Sequence, residues 1–140
     1  MLYLDTALVV SLFIAEQATD RVQAWVGRQE PGGLFVSNWV IAEFSSALSM
    51  KLRTGKIGLD ERARILARFS GAVSTSFSQV EIEPDHFLLA ARFADNHATG
   101  LRASDALHLA IASQHGLTLC TLDKILASAG QLLGVTTELV

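Results

Sequence analysis

Short apolar runs alternate along this chain with longer stretches in which apolar residues recur every three or four positions. The runs read as buried strands, and the longer period reads as helices packed against them. Met1 to Leu4 is the first strand, and Ala7 to Ala15 is a helix for which Thr6 is a suitable cap. A second helix runs from Ala18 to Arg28, with Val22, Trp25 and Val26 at helical spacing, until Glu30-Pro31-Gly32-Gly33 breaks the chain. Leu34 to Ser37 is the next strand. Asn38 then caps a helix from Trp39 to Thr54, striped by Ile41, Phe44, Leu48 and Leu52 and closed by Gly55.

Gly58 and Asp60 open a further helix whose apolar face is Leu59, Ala63, Leu66, Phe69 and Val73. Val80 to Ile82 is a brief strand. Pro84 starts a helix that reaches about His97, because proline suits the first helical position. Beyond Gly100, Leu101 to His115 is helical and Leu117 to Leu122 is a strand; Lys124 to Leu133 is helical, and Val135 to Thr137 is an edge strand. Strands and helices in this order predict a single α/β domain over residues 1–140, a three-layer α-β-α sandwich. Its sheet is mostly parallel, with about five strands.

Bulk composition adds few constraints. With 140 residues and half of them hydrophobic, the chain is long enough to bury a full core and too apolar to be disordered. The Ala7–Ala15 run is too short to span a bilayer and lacks a basic leader, so no membrane association is expected. A single cysteine, Cys120, excludes an internal disulfide and any cysteine-rich zinc site, and fits a reducing cytoplasm.

Four acids change the picture: Asp5, Glu43, Asp105 and Asp123 each follow an apolar strand or open a helix. In a parallel α/β sheet those positions share the carboxyl edge of the strands, where such folds carry their sites. Each acid taken alone has a plainer explanation. Glu43 and Asp105 suit the first turn of a helix, and Asp123 suits a helix cap. Asp5 is harder to explain away, since a charge between Leu4 and an apolar helix is costly without a partner. Carboxylates gathered together require a hard divalent cation, Mg²⁺ or Mn²⁺, and such an ion suits phosphate chemistry. The net charge of −3 does not argue against a polyanionic substrate, because the cluster leaves 10 of the 14 acids against 11 bases.

The stretch Leu2-Tyr3-Leu4-Asp5-Thr6 resembles the opening of PIN-domain ribonucleases. Val40-Ile41-Ala42-Glu43-Phe44 is similar to that family's second acidic motif. Arg102 to Ala110, around Asp105, and Leu119-Cys120-Thr121-Leu122-Asp123 resemble the third and fourth. The resemblance extends over nearly the whole chain, and its length is most similar to VapC-type toxins of toxin–antitoxin pairs. It implies a Mg²⁺- or Mn²⁺-dependent endoribonuclease, commonly a homodimer, held inactive by a VapB-type antitoxin. By the same resemblance, Asp5, Asp105 and Asp123 bind metal and Glu43 completes the set, with water as the nucleophile and a 5′-phosphate and a 3′-hydroxyl as products.

Thr6 and Thr121 are candidates to contact a bound water or the phosphate, and Arg102 a candidate to reach a phosphate oxygen. Lys51, Arg53 and Lys56 form a short basic group, in which Lys51 reads more simply as a solvated charge. His108, one turn beyond Asp105, could be a base but reads better as a packed, hydrogen-bonded histidine. Trp39 could stack a base but reads better as core. Two other functions compete: a phosphoacceptor signalling module, which also gathers acids at a sheet edge, and a catalytically silent metal- or RNA-binding subunit.

Overall fold

Tyr3 and Leu4 are fully buried, and the three-residue strand that holds them, β1 (Leu2–Leu4), lies at the middle of the molecule. In the computed structural model, which describes residues 1–140, β1 is followed by α1 (Thr6–Phe13), α2 (Thr19–Val26), β2 (Leu34–Ser37), α3 (Asn38–Arg53) and α4 (Leu59–Thr75). Then come β3 (Ser78–Val80), α5 (Pro84–Asp95), a 3₁₀ turn (His97–Thr99), α6 (Ala103–Gln114), β4 (Thr118–Thr121), α7 (Lys124–Leu132) and β5 (Thr137–Leu139). The five strands lie in the order β3-β2-β1-β4-β5, and every pairing is parallel. From β1 the chain builds outward through β2 to β3, then crosses back to lay β4 on the other side. The strand order therefore reverses between β1 and β4, and the crevice beyond the carboxyl ends of those two strands is where such sheets bind ligands.

Packing fixes the helices that carry the site. Phe13 of α1 meets Phe44 of α3, Phe69 of α4 and Phe77 edge-on, with ring centroids 5.9, 5.5 and 6.5 Å apart. Phe44 and Phe69 stack at 3.9 Å. Aromatic contacts of this kind add to the burial that holds the three helices in register. On the other side, α6 buries every residue from Ala106 to Ala112, so it shows no amphipathic stripe. Leu12, Phe13, Val22 and Trp25 belong to this core or pack against it, and do not form a free apolar face.

Several boundaries differ from those the sequence predicts. Ser37, not Asn38, caps α3, its hydroxyl accepting from the Val40 N–H. Helix α1 is capped by Asp5 and not by Thr6. The face of α4 that enters the core is Ile65 and Phe69, whereas Leu59 is 72% exposed. Strand β3 begins at Ser78 because the pairing Ser37↔Val80 sets its register on β2. Strand β5 starts two residues late because Val135 is still occupied in closing α7, its N–H donating to the Gly130 carbonyl.

Gly130 marks the tightest approach in the fold. A Cβ there would lie 2.3 Å from Cγ2 of Thr137 and 2.9 Å from Cδ2 of Leu109, and Thr137 is tied down by its hydroxyl bond to the Ala127 carbonyl. Gly130→Ala gains helix propensity of about 1 kcal/mol. Overlap at this distance costs more, about 1–3 kcal/mol. Urea denaturation is therefore expected to show a net loss of stability, larger for Gly130→Val.

Candidate active site

The register of β1 on β4 builds the centre of the site. Leu4 pairs with Cys120, so Asp5, where the chain leaves β1, stands beside Thr121, the last residue of β4. Asp5 is almost completely buried. Its Oδ1 accepts from the Leu8 N–H at 2.8 Å, which makes it the N-cap of α1, and its Oδ2 accepts from the Thr121 hydroxyl at 2.5 Å. Thr121 Oγ1 in turn accepts from the Asp123 N–H at 2.9 Å. Burial pushes the Asp5 carboxyl above the ordinary carboxylate range; the two hydrogen bonds and nearby His108 oppose that rise, and Asp123 adds to it.

Glu43 arrives from the neighbouring crossover. It lies in the second turn of α3, not the first, so the helix dipole does little for it and side chains do the work. Its Oε2 accepts from the Thr6 hydroxyl and lies 2.8 Å from His108 Nε2. Burial alone would raise the Glu43 pKa. Hydrogen bonds from His108 and Thr6 outweigh it and hold the carboxyl below its ordinary value, with the Ser104 hydroxyl adding to the effect.

Asp105 and Asp123 stand at helix starts. Asp105 is the third residue of α6, and its Oδ2 accepts from the Arg102 N–H at 3.1 Å. Asp123 caps α7, its Oδ1 accepting from Ile125 and Leu126 at 2.7 and 3.2 Å. Asp123 is therefore a cap and Asp105 closes the capping box of α6, as the plainer reading holds; Asp123 also lies near enough to Asp5 to raise its pKa. Arg102 is exposed beside them. Lys51 forms an ion pair with Glu16. Cys120 is buried, its thiol pushed up to about 12 chiefly by burial, so it stays protonated and inert.

Sequence reasoning did not foresee the buried chain behind Glu43. Tyr3 Oη lies 3.1 Å from His108 Nδ1 and 2.7 Å from Ser37 Oγ. The signals were present. Tyr3 and Asp5 are two residues apart on one strand and so share a face, and His108 follows Asp105 by one helical turn.

The donor set fits a hard cation. Glu43 Oε1, Asp105 Oδ1 and Asp123 Oδ2 accept no hydrogen bond from the protein, so each acid is anchored through one oxygen and keeps the other for an external partner. Only oxygen donors face the crevice there, the preference of Mg²⁺ and Mn²⁺. No three His, Cys, Asp or Glu side chains stand close enough to one another to hold an ion as they are placed.

The sequence model of the PIN domain family matches residues 2–132. The chain belongs to the PIN domain family. Its fold is shared with FitAcB from Neisseria gonorrhoeae, at a TM-score of 0.73 and 20% identity over 98% of this chain and 96% of that one. VapC20 of Mycobacterium tuberculosis, described as a sarcin–ricin loop cleaving toxin, gives 0.73 and 17% over 93% and 95%. VapBC2 of Rickettsia felis, bound to a fragment of its promoter DNA, gives 0.69 and 14% over 100% and 99%. No match to a curated protein sequence reaches significance. No helix of this PIN domain is long and apolar enough to cross a membrane.

The two central acids have opposite linkage to pH. Asp5 is raised in the folded state, so in chelator-treated protein its contribution weakens stability as pH rises from the ordinary carboxylate range through its folded value. Glu43 is lowered, so its contribution is present above the ordinary range and is lost as pH falls through its folded value. Urea titrations between about pH 3 and 8 are expected to show that Asp5→Asn flattens the first trend. In the same titrations Glu43→Gln should cost about 1–2 kcal/mol near neutrality and little at the acid end.

Proposed function

We propose that this PIN domain is a divalent-metal-dependent endoribonuclease, the toxin of a toxin–antitoxin pair. What supports the reading is the carboxyl edge of β1 and β4, where Asp5 and Asp123 share Thr121 and Glu43 accepts from Thr6, with one oxygen each of Glu43, Asp105 and Asp123 uncommitted. The toxin assignment draws on structural neighbours that are themselves toxin or toxin–antitoxin proteins, among them the sarcin–ricin loop cleaving toxin.

In this reading Asp5, Glu43, Asp105 and Asp123 hold Mg²⁺ or Mn²⁺. The ion supplies a water activated as nucleophile at neutral pH and neutralises charge on the scissile phosphate. The chain's own part is to keep the acids ionised and aimed. Thr121 fixes the carboxylate of Asp5, while Thr6 and His108 fix that of Glu43. Arg102, exposed at the start of α6, is free to meet a phosphate oxygen of the substrate. Thr6 and Thr121 spend their hydroxyls on the acids, which makes them positioning residues and not direct phosphate ligands.

The inhibitory partner is a VapB-type antitoxin, and the toxin acts as a homodimer in the cytoplasm. A groove of about 660 Å³ opens beside Thr6 and Leu122, walled by Val10, Ala47 and Met50. Its lining mixes those apolar side chains with Glu16, Lys51 and Lys56, which suits an amphipathic segment of the inhibitor.

Incubating the protein with candidate RNAs, with Mn²⁺ or with chelator, and mapping the cleaved ends tests this. Cleavage is expected only with the metal and should leave a 5′-phosphate and a 3′-hydroxyl. Asp5→Asn and Asp105→Asn should each lower the rate by at least about a hundredfold with the fold retained. A 2′,3′-cyclic phosphate, or undiminished cleavage by Asp5→Asn, rejects the mechanism.

A further inference from the structure

Glu43 is the only one of the four acids anchored solely by side chains, and its anchor is the end of a buried chain: Ser37, Tyr3, His108, Glu43. The direction of that chain follows from what each group can do. An ionised carboxylate only accepts, so His108 Nε2 carries a proton and donates to Glu43 Oε2, as the Thr6 hydroxyl also does. With the proton on Nε2, Nδ1 accepts from the Tyr3 hydroxyl at 3.1 Å. Tyr3 Oη then accepts from Ser37 at 2.7 Å, and Ser37 Oγ accepts from the Val40 N–H at 3.5 Å. Every proton of the chain is donated once and in a single direction, Glu43 Oε2 receiving two, and the members sit on β1, β2, α3 and α6.

A packed histidine needs only to satisfy its nitrogens, and any carbonyl would serve. His108 spends Nε2 on an acid of the site instead; the Glu43 carboxylate decides which nitrogen holds the proton, and Tyr3 holds the ring through the other. We propose that His108, set in the Nε2–H tautomer by Glu43 and held through Nδ1 by Tyr3, is a positioning residue. It pins Glu43 through Oε2 and so presents Oε1 to the cation. The cation half of this statement rests on the metal-dependent reading above; the tautomer half does not.

Mn²⁺ binding to the full chain, followed by calorimetry or by electron paramagnetic resonance, reads the first half without any turnover. His108→Ala should weaken binding by about tenfold or more, and Tyr3→Phe by about three- to tenfold. His108→Gln, whose amide can still donate at the Nε2 position, should stay within about threefold of wild type. Ile111→Val, a core change in the same helix, should leave binding unchanged. Should His108→Ala fail to fold, Tyr3→Phe and His108→Gln carry the comparison. Wild-type affinity in Tyr3→Phe and His108→Ala, or a folded His108→Gln as weak as His108→Ala, overturns the proposal. The second half is read in metal-free protein from the ¹⁵N resonances of the His108 ring, which should show a protonated Nε2 and a bare Nδ1. A protonated Nδ1 overturns it. A wild-type chain that binds no Mn²⁺ defeats the metal-dependent nuclease, and the ring spectrum still decides the tautomer.

Discussion

The charge on Asp5 is the constraint around which this molecule is arranged. A carboxylate at the exit of the central strand, almost out of contact with water, is tolerable only with donors already in place. Parallel pairing of β1 with β4 supplies one of them, because the register that joins Leu4 to Cys120 sets Thr121 beside it. The turn into α1 supplies the other through the Leu8 N–H. Two hydrogen bonds are enough to hold the side chain and too few to exhaust its lone pairs. The residual cost makes this position receptive to a positive charge, which is how a fold stores affinity for an ion at the expense of its own stability.

Aim comes from elsewhere. Glu43 reaches the crevice from a helix braced by the stack of Phe44 on Phe69 and the edge of Phe13. Asp105 and Asp123 need no such bracing, since the first turns of α6 and α7 clamp them through backbone N–H groups. The arrangement divides the labour between two acids held by helix starts, which are cheap, and two inner acids, which need neighbours to hold them. Sites built on helices and strands in this way keep their geometry better than sites built on loops.

Much of this was legible in the residues. The alternation of apolar runs and helical stripes gives the parallel α/β sandwich, and Asp5 and Asp123 follow β1 and β4 as the strand pattern predicts. Features that depend on pairing partners were not legible. Ser37 takes the cap of α3 from Asn38, a choice made by where β2 ends against β1 and β3, and Glu43 lies in the second turn with either cap. The starts of β3 and β5 move because edge strands take their register from neighbours and not from their own polarity. Leu59 looks like core by spacing and lies in solvent. His108 was correctly read as packed and hydrogen bonded. Its partners, 65 residues away in one case and 105 in the other, are set by topology alone.

The bond between Asp5 and Thr121 spans 116 positions of the chain. Contacts of such separation form late, after the intervening helices have docked. A polypeptide emerging from the ribosome therefore has its first acid early and its last strand late, and stays harmless until the seam between them closes. For an activity that attacks RNA, the order of synthesis itself becomes a safety catch on the machine that makes it.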